Sequence, residues 1–392
     1  MSDEHKRQQE NMNNLPPLAL YIHFPWCIKK CPYCDFNSHQ VGQGGFPEMD
    51  YLSALIFDLK HSLKIIDERC IEHIFLGGGT PSLFSAKIIG LLMEELFSST
   101  LVSSAAEITM EVNPGAAETL KLRDFRSSGI NRLSIGAQSF NTKHLKQLGR
   151  VHSGKDVLRA IDSANDIFQN VNVDIMYALP NQTIQDLEED VNQLIKTDVH
   201  HVSLYQLTIE PKTVFWRKPP ALPDDDISER MENLIKDKIG QHGYMQYEIA
   251  AFAKKGFESH HNKNYWCFGD YLGIGAGAHS KISDNKGVTR IEKKKSPQKY
   301  MDGAKNYKVI SRDHRISPED LPGEFMMNAL RLKRGFNVGL FTQRTGLDIK
   351  AILPAIEKGK QLGFLSLSEG NLKPTDLGYR FLNNLIQLFI PD

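Results

Sequence analysis

The chain alternates short apolar runs with longer stretches in which apolar residues recur every three or four positions. Six runs are rich in β-branched and aromatic residues: LALYIHF (18–24), IEHIFL (71–76), EITMEV (107–112), RLSIGA (132–137), VNVDIMYAL (171–179) and HVSLYQLTI (201–209). Helical spacing follows them, most clearly in YLSALIFDLKHSL (51–63), AKIIGLLMEELF (86–97), KDVLRAIDSANDIF (155–168) and IQDLEEDVNQLI (184–195). Strand followed by helix, repeated, predicts an α/β fold of parallel strands joined by right-handed crossovers. Either an open doubly wound sheet or a barrel satisfies that pattern.

The pattern also divides the chain. Residues 1–16 lack any apolar period and read as a solvated polar tail. Residues 17–282 form the α/β body. From 283 to 320 the chain is rich in Lys, Ser, Asp and Pro and reads as a connector, with the KKK run at 293–295 on a solvated face. Beyond it, EFMMNALRL, DIKAILPAIEKGKQLGF and GYRFLNNLIQLF are helical, and LSLSEGNLKPT is a hairpin turning at Glu369-Gly370-Asn371. Residues 321–392 are therefore predicted to be a helical, winged-helix-like domain. Its nine Lys/Arg against six Asp/Glu are too few to mark a DNA reader.

Composition narrows the function classes. With 392 residues, 41% hydrophobic and 24% charged, the chain can bury a large core, and its 47 basic and 47 acidic residues cancel. No bulk field recruits nucleic acid or an anionic membrane. No apolar run reaches the roughly 18 residues of a membrane span, and the polar N-terminus is unlike a secretion signal, so a cytoplasmic protein without its own membrane anchor is expected.

Three of the five cysteines, Cys27, Cys31 and Cys34, fall in YIHFPWCIKKCPYCDFN directly after the first strand, as C-x3-C-x2-C. Three thiolates on one loop can converge on a small inorganic centre. An iron–sulfur cubane held by three thiolates keeps one iron open, whereas structural zinc takes four protein ligands, which His23 or His39 could complete. Cys70 and Cys267 fit no ligand spacing and read as buried small apolar residues, with Cys267 a minor alternative as a haem thiolate ligand. GGGTPS (77–82) ends the second strand, where missing side chains allow close backbone approach or a tight turn. Glu111, Gln138 and Asp174 stand inside or at the ends of apolar strands, as polar groups lining one mouth would. For Arg150, in LGRVHS, an ordinary surface arginine is the alternative reading.

The C-x3-C-x2-C run resembles the signature of the radical S-adenosylmethionine (SAM) superfamily. That resemblance implies a partial (β/α)6 barrel, a [4Fe-4S] cluster on Cys27, Cys31 and Cys34, and SAM chelated at the open iron as the source of a 5′-deoxyadenosyl radical. It further implies SAM contacts from Tyr33, Gly78, Gly79, Thr80, Glu111, Gln138, Arg150 and Asp174, with Tyr21 near the cluster. Across residues 18–392, FLGGGTPSL, ITMEVNPG, SIGAQSF, YQLTIEP, LPDDD, HNKNYW and FGDYLGIGAGAH are similar to the HemW haem-chaperone family. HemN, the oxygen-independent coproporphyrinogen III oxidase, is a relative carrying a further cysteine where this chain has Phe36, so an active oxidase is not expected. The resemblance implies haem as cargo, held by His261, Asn262, Tyr265 and Trp266 of H-N-x-x-Y-W. His260 is an adjacent competitor and His279 a second candidate ligand; a packed histidine beside two aromatics is the alternative. Implied partners are haem-requiring respiratory proteins, with peripheral membrane association through them, and the chain as monomer or dimer. The glycines Gly273, Gly275 and Gly277 imitate a dinucleotide fingerprint but lack its frame, and read as a tight turn by the barrel mouth.

Overall fold

The apolar runs become the parallel strands of one curved sheet. In this computed structural model, which describes residues 15–66 and 69–391, most of the predicted polar tail lies outside the described residues. The strands are β1 (Leu18–Phe24), β2 (Ile71–Gly78), β3 (Val102–Val112), β4 (Arg132–Gln138), β5 (Asn170–Tyr177) and β6 (His201–Gln206). They pair side by side in chain order, every pair parallel. Helices return the chain between them, including Glu48–Ile66, Ala86–Ser99, Gly154–Asn165 and Ile184–Lys196. The last two open on capping boxes, Ser153 with Asp156 and Thr183 with Asp186, which satisfy otherwise orphaned backbone donors. Six such units in order make the partial (β/α)6 barrel, and its apolar layer joins strand residues such as Ile74, Met110 and Val173 to helix residues such as Leu55, Leu92 and Val191.

Both edges of this unit are extended. β7 (Asp270–Ile274) pairs parallel with β1, and β8 (His279–Asp284), β9 (Gly287–Lys293) and β10 (Ile310–Arg315) continue antiparallel from it. Ala251–Ala253 covers β6 from the other side. Residues 283–315 thus hold two sheet strands and the helix Pro297–Ala304 where polar composition suggested a connector. The composition misled because the outermost strand, β10, is solvated along nearly its whole length. The KKK run also departs from expectation: Lys293 is only 2% exposed, and its Nζ lies 2.5 Å from Asp58 Oδ1 and 3.1 Å from Ser62 Oγ. Tyr300 Oη and Gly275 N donate to the other oxygen of Asp58. A buried cation needs such a partner, and Asp58 supplies it from the Glu48–Ile66 helix. Cys70 is exposed rather than buried, and Cys267 is half-buried.

The C-terminal segment has its own core around Phe325, Phe341, Leu372 and Leu385, with Phe268 and Val288 contributed from the barrel side. Leu365–Ser368 and Asn371–Pro374 form the predicted hairpin, joined by Phe336–Asn337 as a third strand. Glu369 and Gly370 both take positive φ, 50° and 76°, as a tight two-residue hairpin turn demands.

Candidate functional site

At the C-terminal ends of the strands lies a cavity of about 380 Å³. It is lined by Cys27, Cys31, Tyr33 and Cys34 from the loop after β1, Gly78, Gly79 and Thr80 after β2, and Glu111, Gln138 and Asp174 from β3 to β5, with Arg150. All but one of the residues to which sequence similarity assigns the cluster and SAM therefore share one space. Tyr21 is the exception: it lies below the cavity, its hydroxyl 3.0 Å from His23 Nδ1 and its ring stacked on Phe75.

Local backbone builds the cavity. Gly78 has φ +113°, and a Cβ there would lie 2.5 Å from the His23 ring; a Cβ on Gly79 would lie 2.5 Å from the Trp26 carbonyl oxygen. The run of glycines is the condition for β2 to pass against the cysteine loop. Gly78 N donates to Glu111 Oε2 at 2.9 Å. Between β4 and β5 the register slips after Gly136, and Gln138 takes φ +70°, a bulge that turns its side chain to the cavity.

Charge in the cavity is only partly matched by protein groups. Burial, the nearby Asp174 carboxylate and, in the opposite direction, the Gly78 amide leave Glu111 with a pKa of about 8. Asp174 is also raised by burial, against hydrogen bonds from Asn172 and Ser134. Two carboxyls held in this state suit a ligand that brings positive charge. Arg150 is no surface arginine: Nη2 donates to Gly136 O and Asn113 Oδ1 at 2.6 and 2.8 Å, and Nη1 lies 3.8 Å from Cys31 Sγ.

The cysteine loop fits an iron–sulfur cluster. Its three thiols face one cavity with the Arg150 guanidinium beside Cys31, and burial pushes the Cys27 and Cys34 thiols up, so a soft metal centre would displace their protons. His23 is not free to complete a zinc site, since its Nε2 meets Asn37 O at 2.9 Å and its Nδ1 meets Tyr21. Asn37 also donates to Ala276 O and Lys295 O, which ties the loop to the glycine turn after β7.

The H-N-x-x-Y-W segment lies at the opposite, N-terminal side of the strands, as the helix His260–Trp266. Ser259 caps it, and Glu107 of β3 accepts from Ser259 Oγ and from the backbone N–H of His260 and His261. Sequence reasoning did not single out Glu107, although a charged residue inside an apolar strand was the signal. His261 packs on Phe75 at 4.8 Å between ring centroids, burial lowers its pKa to about 4, and its Nδ1 has no partner among the described residues. Burial thus holds the imidazole neutral, with its Nδ1 enclosed by the protein. Tyr265 packs edge-on against Trp266, and the Arg331 guanidinium lies over the Trp266 ring. His279 does not join this group: it is exposed at the start of β8 opposite Glu292, and its charged neighbours are Glu292, Lys295 and Arg290.

Comparison with known proteins places this architecture. The radical SAM superfamily profile matches residues 21–194 and that of the HemN C-terminal domain residues 316–381. The heme chaperone HemW of Haemophilus influenzae is 41% identical over 387 residues, covering 97% of this chain and 100% of its own. The HemW of Bacillus subtilis is 34% identical over 380 residues, covering 95% and 99%. The solved coproporphyrinogen III oxidase HemN from Escherichia coli superposes with a TM-score of 0.81 at 22% identity, covering 99% of this chain and 93% of that one, which establishes the shared fold. The chain belongs to the HemW haem-chaperone family of the radical SAM superfamily.

Proposed function

We propose that this protein binds haem at the His260–Trp266 helix, carries a [4Fe-4S] cluster and SAM in the opposite mouth, and passes the haem to a haem-requiring respiratory acceptor. The observation that carries this reading is the neutral His261, whose buried Nδ1 has no partner among the described residues, on a helix anchored to the barrel through Glu107. Its relatives named as heme chaperones support it. Phe36, 60% exposed at the cavity edge, stands where the oxidase relatives carry a further cysteine, and counts against porphyrinogen decarboxylation.

Cys27, Cys31 and Cys34 would hold the cluster, Glu111 the ammonium of SAM, and Gly78, Gly79, Thr80, Gln138, Arg150 and Asp174 the remainder. When bound, the pair supplies a sulfur–carbon bond that one-electron reduction can break. The chain's own contribution is positional: Glu111 and Asp174 offer carboxyls that a cationic ligand would ionise, and the Arg150 guanidinium stands beside Cys31 Sγ.

The test is anaerobic reconstitution followed by haemin titration and transfer to an apo-cytochrome, beside an assay with coproporphyrinogen III. Expected are a haemin-dependent Soret shift, haem appearing in the acceptor, and no decarboxylated product. Absence of both shift and transfer overturns the reading, and decarboxylation above background replaces it with the oxidase.

A further inference from the structure

The two ends of the barrel are joined by a continuous line of buried hydrogen bonds. Asp174 Oδ1, at the cavity, accepts from Asn172 Nδ2 at 2.8 Å. Asn172 Oδ1 is 2.6 Å from His201 Nδ1, and His201 Nε2 is 2.9 Å from Tyr247 Oη. Tyr247 Oη accepts from the backbone N–H of Ser259, the residue that caps the His260–Trp266 helix and donates to Glu107. Asn172, His201, Tyr247 and Ser259 are all buried.

Donor and acceptor chemistry gives this line one direction. The Asp174 carboxylate only accepts, so Asn172 presents its NH₂ to it and its carbonyl oxygen to His201. His201 is neutral, because burial and the Arg132 guanidinium disfavour its charged form. With Nδ1–H donating to Asn172, Nε2 must accept, and Tyr247 O–H is its donor. The phenol oxygen then keeps its lone pairs for the Ser259 amide. Every mobile hydrogen from Tyr247 onward points towards Asp174. While the Asp174 carboxylate faces Asn172, turning the amide over would set Oδ1 against a carboxylate oxygen and take Nδ2 from Ser134 Oγ, so the reversed arrangement, with the other His201 tautomer, opens only when Asp174 is drawn away from Asn172. A line with two such states can carry a change at one end to the other.

We infer that His201 and Tyr247 are positioning residues that couple occupation of the SAM cavity to the cap of the helix bearing His261. A cationic ligand drawn to Asp174 competes for the carboxylate that orients Asn172, and the reorientation reaches Ser259 through His201 and Tyr247. The inference rests on the function proposed above, on SAM in the cavity for the coupling and on haem at the helix for its consequence.

The experiment uses the reconstituted full chain and the near-isosteric Y247F, which removes only the hydroxyl. Amide hydrogen exchange of residues 259–263 is measured with and without S-adenosylhomocysteine or SAM, with no haem present. Protection in this segment should change on ligand addition in the wild type and stay constant in Y247F, whose affinity for SAM remains within about twofold. Haemin affinity should then differ about fivefold or more between SAM-free and SAM-saturated wild type, with haemin shifting SAM affinity by the same factor, and Y247F should reduce that factor to about one. With SAM binding established by calorimetry, an unchanged wild-type exchange pattern, or a Y247F pattern equal to wild type, overturns the coupling; absence of SAM binding overturns the function proposed above instead. Failure of haemin to bind the wild type at all overturns the haem reading instead, while the exchange result still decides the coupling.

Discussion

The two ends of the barrel are constructed in opposite ways from the same strands. At the C-terminal mouth the backbone leaves space: glycines at 78 and 79 and the bulge at Gln138 hold loops around a cavity of about 380 Å³ in which burial raises the pKa of two carboxyls, Glu111 and Asp174. At the N-terminal base the space is filled. Glu107 is spent on three donors of one short helix, and His261 is packed on Phe75. The mouth keeps its carboxyls facing open space, whereas the base commits its carboxylate to backbone donors and leaves the buried His261 ring neutral.

The largest expected effect tests the mouth alone. Replacing Cys27, Cys31 or Cys34 by Ala should abolish the iron–sulfur chromophore and stoichiometric iron after anaerobic reconstitution, while the haemin Soret shift survives. Loss of haemin binding together with the chromophore would break the separation of the two ends.

Next is Glu111→Gln, expected to weaken SAM binding by about tenfold to a hundredfold in calorimetry, as loss of a charged partner does. The pH sense follows from the raised carboxyl. Below about pH 8 the empty site holds Glu111 protonated, so SAM must displace that proton, and affinity should rise with pH up to about 8. For the empty fold the sign is reversed: the native carboxyl binds its proton more tightly than an ordinary one at 4.5, so stability falls as pH rises from that range through about 8. Glu111→Gln should remove that fall, giving a higher Tm than wild type at pH 8.

His261→Ala examines the base. Haemin affinity should drop about tenfold, the scale on which single groups at metal sites act, and the Soret band should move, with cluster content and SAM affinity unchanged. An unaltered spectrum would return His261 to a packing role. The smallest effect is Gly79→Ala, where the new Cβ meets the Trp26 and Phe24 carbonyl oxygens at 2.5 and 2.8 Å. A loss of about 1–3 kcal/mol is expected on the scale of overpacking, read by thermal unfolding, with SAM binding weakened and haemin binding retained.

Legibility in the sequence followed the range of the interaction. β1 was readable residue for residue, because a continuous apolar run and flanking prolines are local. The cysteine spacing, the glycine run and the hairpin at Glu369-Gly370 were readable for the same reason. Lys293 was not: a lysine in a KKK run is solvated unless a distant carboxylate waits for it, and Asp58 is 235 positions away. Asn172 and His201 went unnoticed although their signal was present, since VNVDIM and HVSLY place polar residues on alternate positions of otherwise apolar strands. Period two says that such residues share a face; it does not say which other strand supplies their partners.

What the sequence by itself determined was therefore the repeating strand–helix unit, the three-thiol loop and the resemblance carried by contiguous motifs, all encoded within a few residues of chain. Only the tertiary structure decided that Arg150 belongs to the cavity, that His279 stands apart from His261, and that the cavity and the His261 helix occupy opposite ends of one hydrogen-bonded interior. The physical reason is that burial is collective: a charge or an imidazole acquires its partners and its protonation state only when strands distant in sequence close around it.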